Sequence, residues 1–229
     1  MAVRFELVTT DPTGARAGVL HTRRGSIPTP VFMPVATHAS FRHLGMEEIK
    51  ATGSKILLSN TYHLMLKPGI DVFRRFNGIH PFMQWDGAVL TDSGGFQIFS
   101  LPEDRLITEK GAHFRSFHDN SRQLLSPESS IAMQQAINSE VMMVLDVCID
   151  SRTDEAGTRE AMERTHRWAL RSTAAKNQVD TGRRSSPSCR AACTRTCATR
   201  ARASSPSTPS TASPSAGSRW ARRTRSARR

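Results

Sequence analysis

A chain of 229 residues is long enough for one core-bearing domain with an extension. Its formal charge of +12 is segregated: residues 183–229 hold 12 Arg, no Lys and no acidic residue, which leaves 20 basic against 20 acidic residues in 1–182. The body is therefore neutral, and composition alone identifies no nucleic-acid partner. Cysteines are equally uneven, with Cys148 in the body and Cys189, Cys193 and Cys197 beyond it. One body thiol excludes a disulfide scaffold and fits a reducing compartment. The opening Met1-Ala2-Val3-Arg4-Phe5-Glu6 puts charges where a secretion signal needs an apolar core. No apolar run approaches the ~20 residues of a membrane span, and the expected location is cytoplasmic.

In chain order, Met46 to Thr52 reads as a short helix stopped by Gly53. Ile56-Leu57-Leu58 reads as a strand that runs into Ser59-Asn60-Thr61-Tyr62-His63. Val89-Leu90 reads as a second, running into Thr91-Asp92-Ser93-Gly94-Gly95. Ser126 is the expected N-cap of a helix reaching about Ala136, with Pro127 at its first position and Glu128 in its first turn. Val141-Met142-Met143-Val144-Leu145 reads as a third strand, ending on Asp146. Thr158 to about Lys176 reads as a long amphipathic helix with Ala161, Met162, Thr165, Trp168 and Ala169 on one face. Short apolar runs alternating with helices predict an α/β fold with a parallel sheet. A complete (β/α)8 barrel takes ~250 residues, so a body of 1–182 is short for one. The stretch from Arg183 is Arg/Ser/Ala/Thr/Pro-rich, has Trp220 as its only aromatic residue, and is expected to be disordered.

Chemistry concentrates at strand ends. Asp92 is followed by a hydroxyl, by two glycines that permit close backbone approach, and by Phe96, a flat face on which a planar base can stack. The competing reading of that segment is a plain strand-ending turn with Asp92 capping backbone N–H groups. Asp146 follows five apolar residues, and its carboxylate could accept from the amidine-like edge of a purine or serve as a capped or paired Asp. His63 reads as a hydrogen-bonded loop histidine, and His38 and His43 as structural, since no ligand-spaced partner accompanies them. Cys189, Cys193 and Cys197 resemble a metal motif only superficially.

Taken together, Phe32-Met33-Pro34-Val35-Ala36-Thr37, Ser59-Asn60-Thr61-Tyr62-His63-Leu64, Phe82-Met83-Gln84-Trp85 and the run from Leu90 to Ser100 resemble the queuine tRNA-ribosyltransferase (tRNA-guanine transglycosylase) family, in order and spacing. The segments from Ile107 to Arg115 and Arg167-Trp168-Ala169 continue the likeness, which covers about 80% of the chain. It implies a (β/α)8 TIM barrel with a zinc-binding subdomain, here an incomplete barrel over 1–182. It implies exchange of the wobble guanine at position 34 of GUN-anticodon tRNAs for preQ1 or queuine, in queuosine biosynthesis. It implies a cytoplasmic homodimer whose partners are the tRNA anticodon loop and the bases. On this likeness Asp92 is the proton acceptor and general acid/base, Ser93, Gly94, Gly95 and Phe96 contact and stack on the base, Asp146 reads its edge, and Cys148 lies beside Asp146.

The family's nucleophilic Asp, its further loops over the base and its Cys/His zinc ligands lie beyond this likeness and have no match here, so no residue of the chain is expected to bind zinc. Reading each codon's third base with the next codon's first two makes Ser185 to Ala198 compatible with FAIVQGGMYEDLR, and Ser210 to Arg222 with DGFAIGGLSVGE; both strings resemble the family's next motifs. The expectation is a frameshifted extension over 183–229, an incomplete barrel with exposed strand edges, and no base-exchange activity from this chain. Three other functions are compatible with parts of the sequence: a TIM-barrel glycoside hydrolase using Asp92 and Asp146, a non-catalytic subunit of a transglycosylase dimer, and a basic-tailed RNA-binding protein.

Overall fold

The computed structural model describes residues 3–101 and 105–182, with side chains described as far as residue 178. Strands β1 (Arg4–Thr10), β2 (Arg16–Thr22) and β3 (Gly25–Thr29) form an antiparallel sheet in that order. Helix α1 (Met46–Ala51) follows and ends at Thr52, with Gly53 at φ +76°, a left-handed position that suits glycine and stops the helix where the sequence predicted. Strand β4 (Ile56–Ser59) leads directly into α2 (Thr61–Leu66), and α3 (Ile70–Arg75) and α4 (Ile79–Met83) bring the chain back to β5 (Ala88–Thr91). Beyond it lie α5 (Gly95–Ser100), the antiparallel strands β6 (Leu106–Ile107), β7 (Ala112–Arg115) and β8 (Arg122–Leu125), helix α6 (Pro127–Ile137), the short β9 (Val141–Met142) and the long α7 (Glu155–Gly182).

The expected parallel sheet is present, in the order β4-β5-β9, and the chain at 34–36 runs parallel beside β4 through Ala36 N–H to Leu58 O (2.7 Å) and Leu58 N–H to Pro34 O (3.0 Å). Side-chain alternation sorts its two faces. Leu57 and Val89 point into a core with Leu64, Phe73, Ile79, Met133 and Ile137, whereas Ile56 and Ala88 pack against Ile27 of β3. A second core gathers Tyr62, Ile98, Phe114, Leu125, Leu145 and Trp168.

Ser126 caps α6 as expected, its Oγ accepting from Ser129 N–H at 3.2 Å. Ser126→Ala is expected to cost about 1 kcal/mol, measured by urea unfolding; an unchanged midpoint would count against the cap. Helix α7 begins three residues before the expected start, where Asp154 Oδ1 accepts from Gly157 N–H at 2.9 Å. Its inward stripe is Ala161, Trp168 and Ser172; Met162, expected on that stripe, is exposed because one residue's rotation carries it off the buried arc.

The expected third strand is shorter than Val141 to Leu145. Pairing with β5 stops at Met142, and Met143 bonds through both its N–H and C=O to the side-chain amide of Gln134, at 2.8 Å each. A side chain thus takes over the ladder, and the chain leaves the sheet as it approaches Asp146. Two antiparallel sheets, β1-β2-β3 and β6-β7-β8, had no counterpart in the sequence reading. The expectations for 183–229, including disorder and the cysteine triplet, fall outside the described residues. Among the described residues no helix is long and apolar enough to cross a membrane.

Candidate functional site

The carboxyl ends of β4, β5 and β9 bring Asn60, Asp92 and Asp146 into one neighbourhood. Asn60 caps α2, its Oδ1 accepting from His63 N–H at 3.1 Å, which leaves its amide nitrogen free to donate to Asp92 Oδ2 at 2.5 Å. Asp92 Oδ1 accepts from Thr61 N–H at 2.8 Å, and Thr61 Oγ1 donates to the Asp92 carbonyl at 2.5 Å. Asp92 therefore caps a helix start, as the competing reading of its motif had it, but the helix belongs to the neighbouring strand. Burial pushes its carboxyl up to about 6, helped by the nearby charge of Asp146, against the pull of the Thr61 and Gly94 N–H groups and the Asn60 amide. A group with that pKa exchanges protons readily near neutrality.

Ser93, the residue after Asp92, binds the Asp146 carboxylate. Its Oγ donates to Asp146 Oδ1 at 2.9 Å and accepts from Gly95 N–H at 3.2 Å, while its carbonyl accepts from Ser130 Oγ at 3.0 Å. The paired glycines have separate reasons. Gly94 sits at φ +83°, and a Cβ there would lie 3.1 Å from Leu125 and from Tyr62. A Cβ on Gly95 would lie 2.5 Å from Asp146 Oδ1 and 2.6 Å from its carbonyl oxygen. The close approach foreseen for a ligand is thus made by protein atoms, and Gly95 is what lets the Asp146 carboxylate come in so near.

A narrow recess with room for little more than one water molecule adjoins Asp146 and is lined by Gly95, Phe99, Leu145, Asp146, Cys148 and Trp168 among others. Cys148 Sγ lies 3.5 Å from Asp146 Oδ2. Asp92 stands outside that recess, and Phe96 projects from α5 with 62% of its surface exposed, its ring centroid 6.2 Å from that of Phe99.

His63 departs from its expected place. It lies inside α2, and its ring packs among His38 (centroids 4.8 Å apart), Tyr62 and Phe117, with a buried Nδ1 that has no hydrogen-bond partner. Burial lowers its pKa, and His38 and His118 push it further the same way. Asn60 and Thr61, which hold Asp92, were visible in the sequence only as polar residues at a strand end. The capping pattern of Asn60 before a helical run was the available signal.

With this arrangement in view, comparison with known proteins decides the family. The Queuine tRNA-ribosyltransferase profile matches residues 11–193. The chain belongs to the queuine tRNA-ribosyltransferase family. It is 51% identical over 181 residues to the queuine tRNA-ribosyltransferase of Symbiobacterium thermophilum, covering 79% of this chain and 45% of that protein. Counterparts from Listeria welshimeri (48% over 171 residues, 74% and 45%) and Bacillus licheniformis (46% over 179 residues, 78% and 47%) are similar. The chain thus spans about half the length of the curated relatives it matches. Membership of a pentosyltransferase family with a mixed α/β fold sets aside the glycoside hydrolase alternative, which leaves an identity of this extent unexplained. Queuine tRNA-ribosyltransferases are expected to hold zinc, yet among the described residues no group of three or more His, Cys, Asp or Glu could hold a metal ion. Cys148 is engaged with the Asp146 carboxylate, so the donor set described does not fit zinc.

Proposed function

We propose that this chain carries the base-recognition half of a tRNA-guanine transglycosylase, the part that holds the wobble guanine and the incoming preQ1 or queuine while a carboxylate elsewhere in the complete enzyme attacks the ribose. The observation that carries this reading is the approach of Asp146, four residues beyond β9, to the end of the adjacent parallel strand β5, where Ser93, next to Asp92, donates to it. The parallel run of 34–36, β4, β5 and β9 then corresponds to the first half of a (β/α)8 barrel. Leu58 and Leu90, half-buried on the face a closed barrel would fill, support that correspondence.

In this reading Asp146 accepts from the N1–H and amino edge of guanine, a pairing of acceptor with donors that a carboxylate satisfies and an amide does not. The Ser93 hydroxyl holds one of its oxygens in place. Asp92, with a carboxyl poised near 6, gives a proton to the leaving guanine and recovers one from the entering base. Phe96, exposed beside the glycines, offers a stacking face, and Cys148 lines the recess next to Asp146. The anticodon nucleotide must leave its stack to reach these groups. Homodimer assembly and a cytoplasmic setting belong to the same proposal by family likeness. So does the division of the chain into 1–182 and an out-of-frame 183–229, which resequencing the DNA at the codons for Val179 to Ser186 tests directly; an intact frame would refute it.

Calorimetric titration of the chain with guanine tests base recognition. Asp146→Asn is expected to weaken binding about 10- to 100-fold, the worth of one charge-assisted hydrogen bond. Gly95→Ala, whose Cβ would overlap the Asp146 carboxylate, is expected to do the same. Guanine bound equally by parent and Asp146→Asn would end the assignment. No exchange of labelled guanine into tRNA is expected from this chain alone; clear exchange would refute the division of labour.

A further inference from the structure

We propose that Gln134, buried in the middle of α6, is a positioning residue that fixes Asp92 and Asp146 relative to one another; the inference rests on the reading above for what those carboxylates do. Gln134 has no exposed surface, and its one amide uses both acceptor and both donor directions. Oε1 accepts from Thr91 Oγ1 at 2.9 Å and from Met143 N–H at 2.8 Å, while Nε2 donates to the Met143 carbonyl at 2.8 Å and to Ser130 Oγ at 3.1 Å. Each bond leads to the site. Thr91 immediately precedes Asp92 on β5, Met143 begins the descent to Asp146, and Ser130 donates to the carbonyl of Ser93, whose hydroxyl holds Asp146.

The chemistry requires glutamine. After Met142 the chain no longer pairs with β5, and Met143 would bury an unpaired donor and acceptor if the amide did not take the place of a strand. A glutamate of the same shape would turn an acceptor against the Met143 carbonyl; an asparagine is one methylene short; a leucine leaves the Met143 N–H and carbonyl without the side chain that pairs them, while Thr91 and Ser130 keep Ser139 and the Ser93 carbonyl. Because one planar amide grips both limbs, a displacement of either carboxylate-bearing segment is transmitted to the other.

The test follows the Asp carboxyl carbons by NMR in the full chain labelled with 13C-aspartate, with Asp92→Asn and Asp146→Asn assigning the two resonances. In Gln134→Leu, the Asp92 titration midpoint is expected to fall by about half a pH unit or more, as its setting loosens and hydrates, and the Asp146 resonance is expected to move as well. Ile137→Val, which loosens the same helix within the apolar core, is expected to lower the melting temperature and leave both resonances in place. Should Gln134→Leu not fold, Gln134→Glu keeps the shape and is expected to shift the same two signals less. Unchanged Asp92 titration and Asp146 resonance, alongside lowered stability, overturn the inference, since a merely structural glutamine would produce that result. Shifted signals in a chain that binds no guanine uphold the positioning role and overturn base recognition instead.

Discussion

Glu140→Ala is expected to destabilise the chain by about 3–5 kcal/mol, the range found when one partner is removed from a buried charged pair. The Glu140 side chain is wholly buried, yet its Oε1 meets Arg23 Nε at 2.6 Å and Arg24 Nε at 3.4 Å, and its Oε2 meets His80 Nε2 at 3.2 Å and Val89 N–H at 2.8 Å. Burial alone would raise its pKa; His80, Arg23 and the Val89 N–H more than offset that and hold it below the usual carboxylate value. Alanine would strand the Val89 N–H and the His80 ring in the interior, where an unpaired polar group costs about 1–3 kcal/mol each. It would also cut the tie between the turn after β2 and the sheet, a link that Arg23 reinforces by donating to the Asn138 carbonyl. Because the folded-state pKa is depressed, the carboxylate's contribution is present above its unfolded value and is lost as pH falls through the folded one. Urea unfolding at pH 7 and at pH 4 measures both features. A loss under about 1 kcal/mol at pH 7 would mean that the pair is no better than a surface bridge.

That network also marks the limit of what the sequence made legible. Features settled by neighbours a few residues apart could be read directly: the Ser126 cap, the Gly53 stop, and the runs that become β4 and β5. Arg23 and Glu140 lie 117 positions apart, and neither has a local pattern that announces a partner. The early end of β9 was hidden for a related reason. Val144 and Leu145 are as apolar as Val141, and only the amide of Gln134, reaching across from α6, diverts the backbone. At the site the identities of Asp92 and Asp146 stood out as carboxylates ending apolar runs. The Ser93 bond to Asp146, and the burial that raises Asp92, depend on how three strands are arranged in space. The motif likeness supplied the family where local chemistry left Asp92 between a cap and an acid/base, and the structure has it capping Thr61 with a pKa suited to proton transfer.

Asp92→Asn is expected to abolish a pH dependence that the parent chain carries between about pH 4 and 6. In the folded chain the Asp92 carboxyl is pushed up to about 6, against an ordinary aspartate value of 3.8. Between those values the folded state holds a proton that the unfolded chain has released, so stability falls as pH rises. The contribution is fully present below the unfolded value and is lost by the folded one, a decline of roughly 2–3 kcal/mol at 1.36 kcal/mol per unit. The variant loses the decline but puts an amide N–H against the Asn60 nitrogen, forfeiting about 1 kcal/mol of hydrogen bonding. Above pH 7 the two effects leave Asp92→Asn more stable than the parent by about 1–2 kcal/mol, whereas below pH 4 it is the less stable of the two. Comparing the two proteins at each pH removes the opposite trend contributed by Glu128 and Glu140, whose pKa values are lowered. Parallel stability curves for parent and variant across pH 4–7 would show that Asp92 titrates like an ordinary surface carboxylate, and the acid/base role would lose its physical support. The crossing of those curves is the expected mark of a site that gives up folding stability to keep a proton exchangeable near neutral pH.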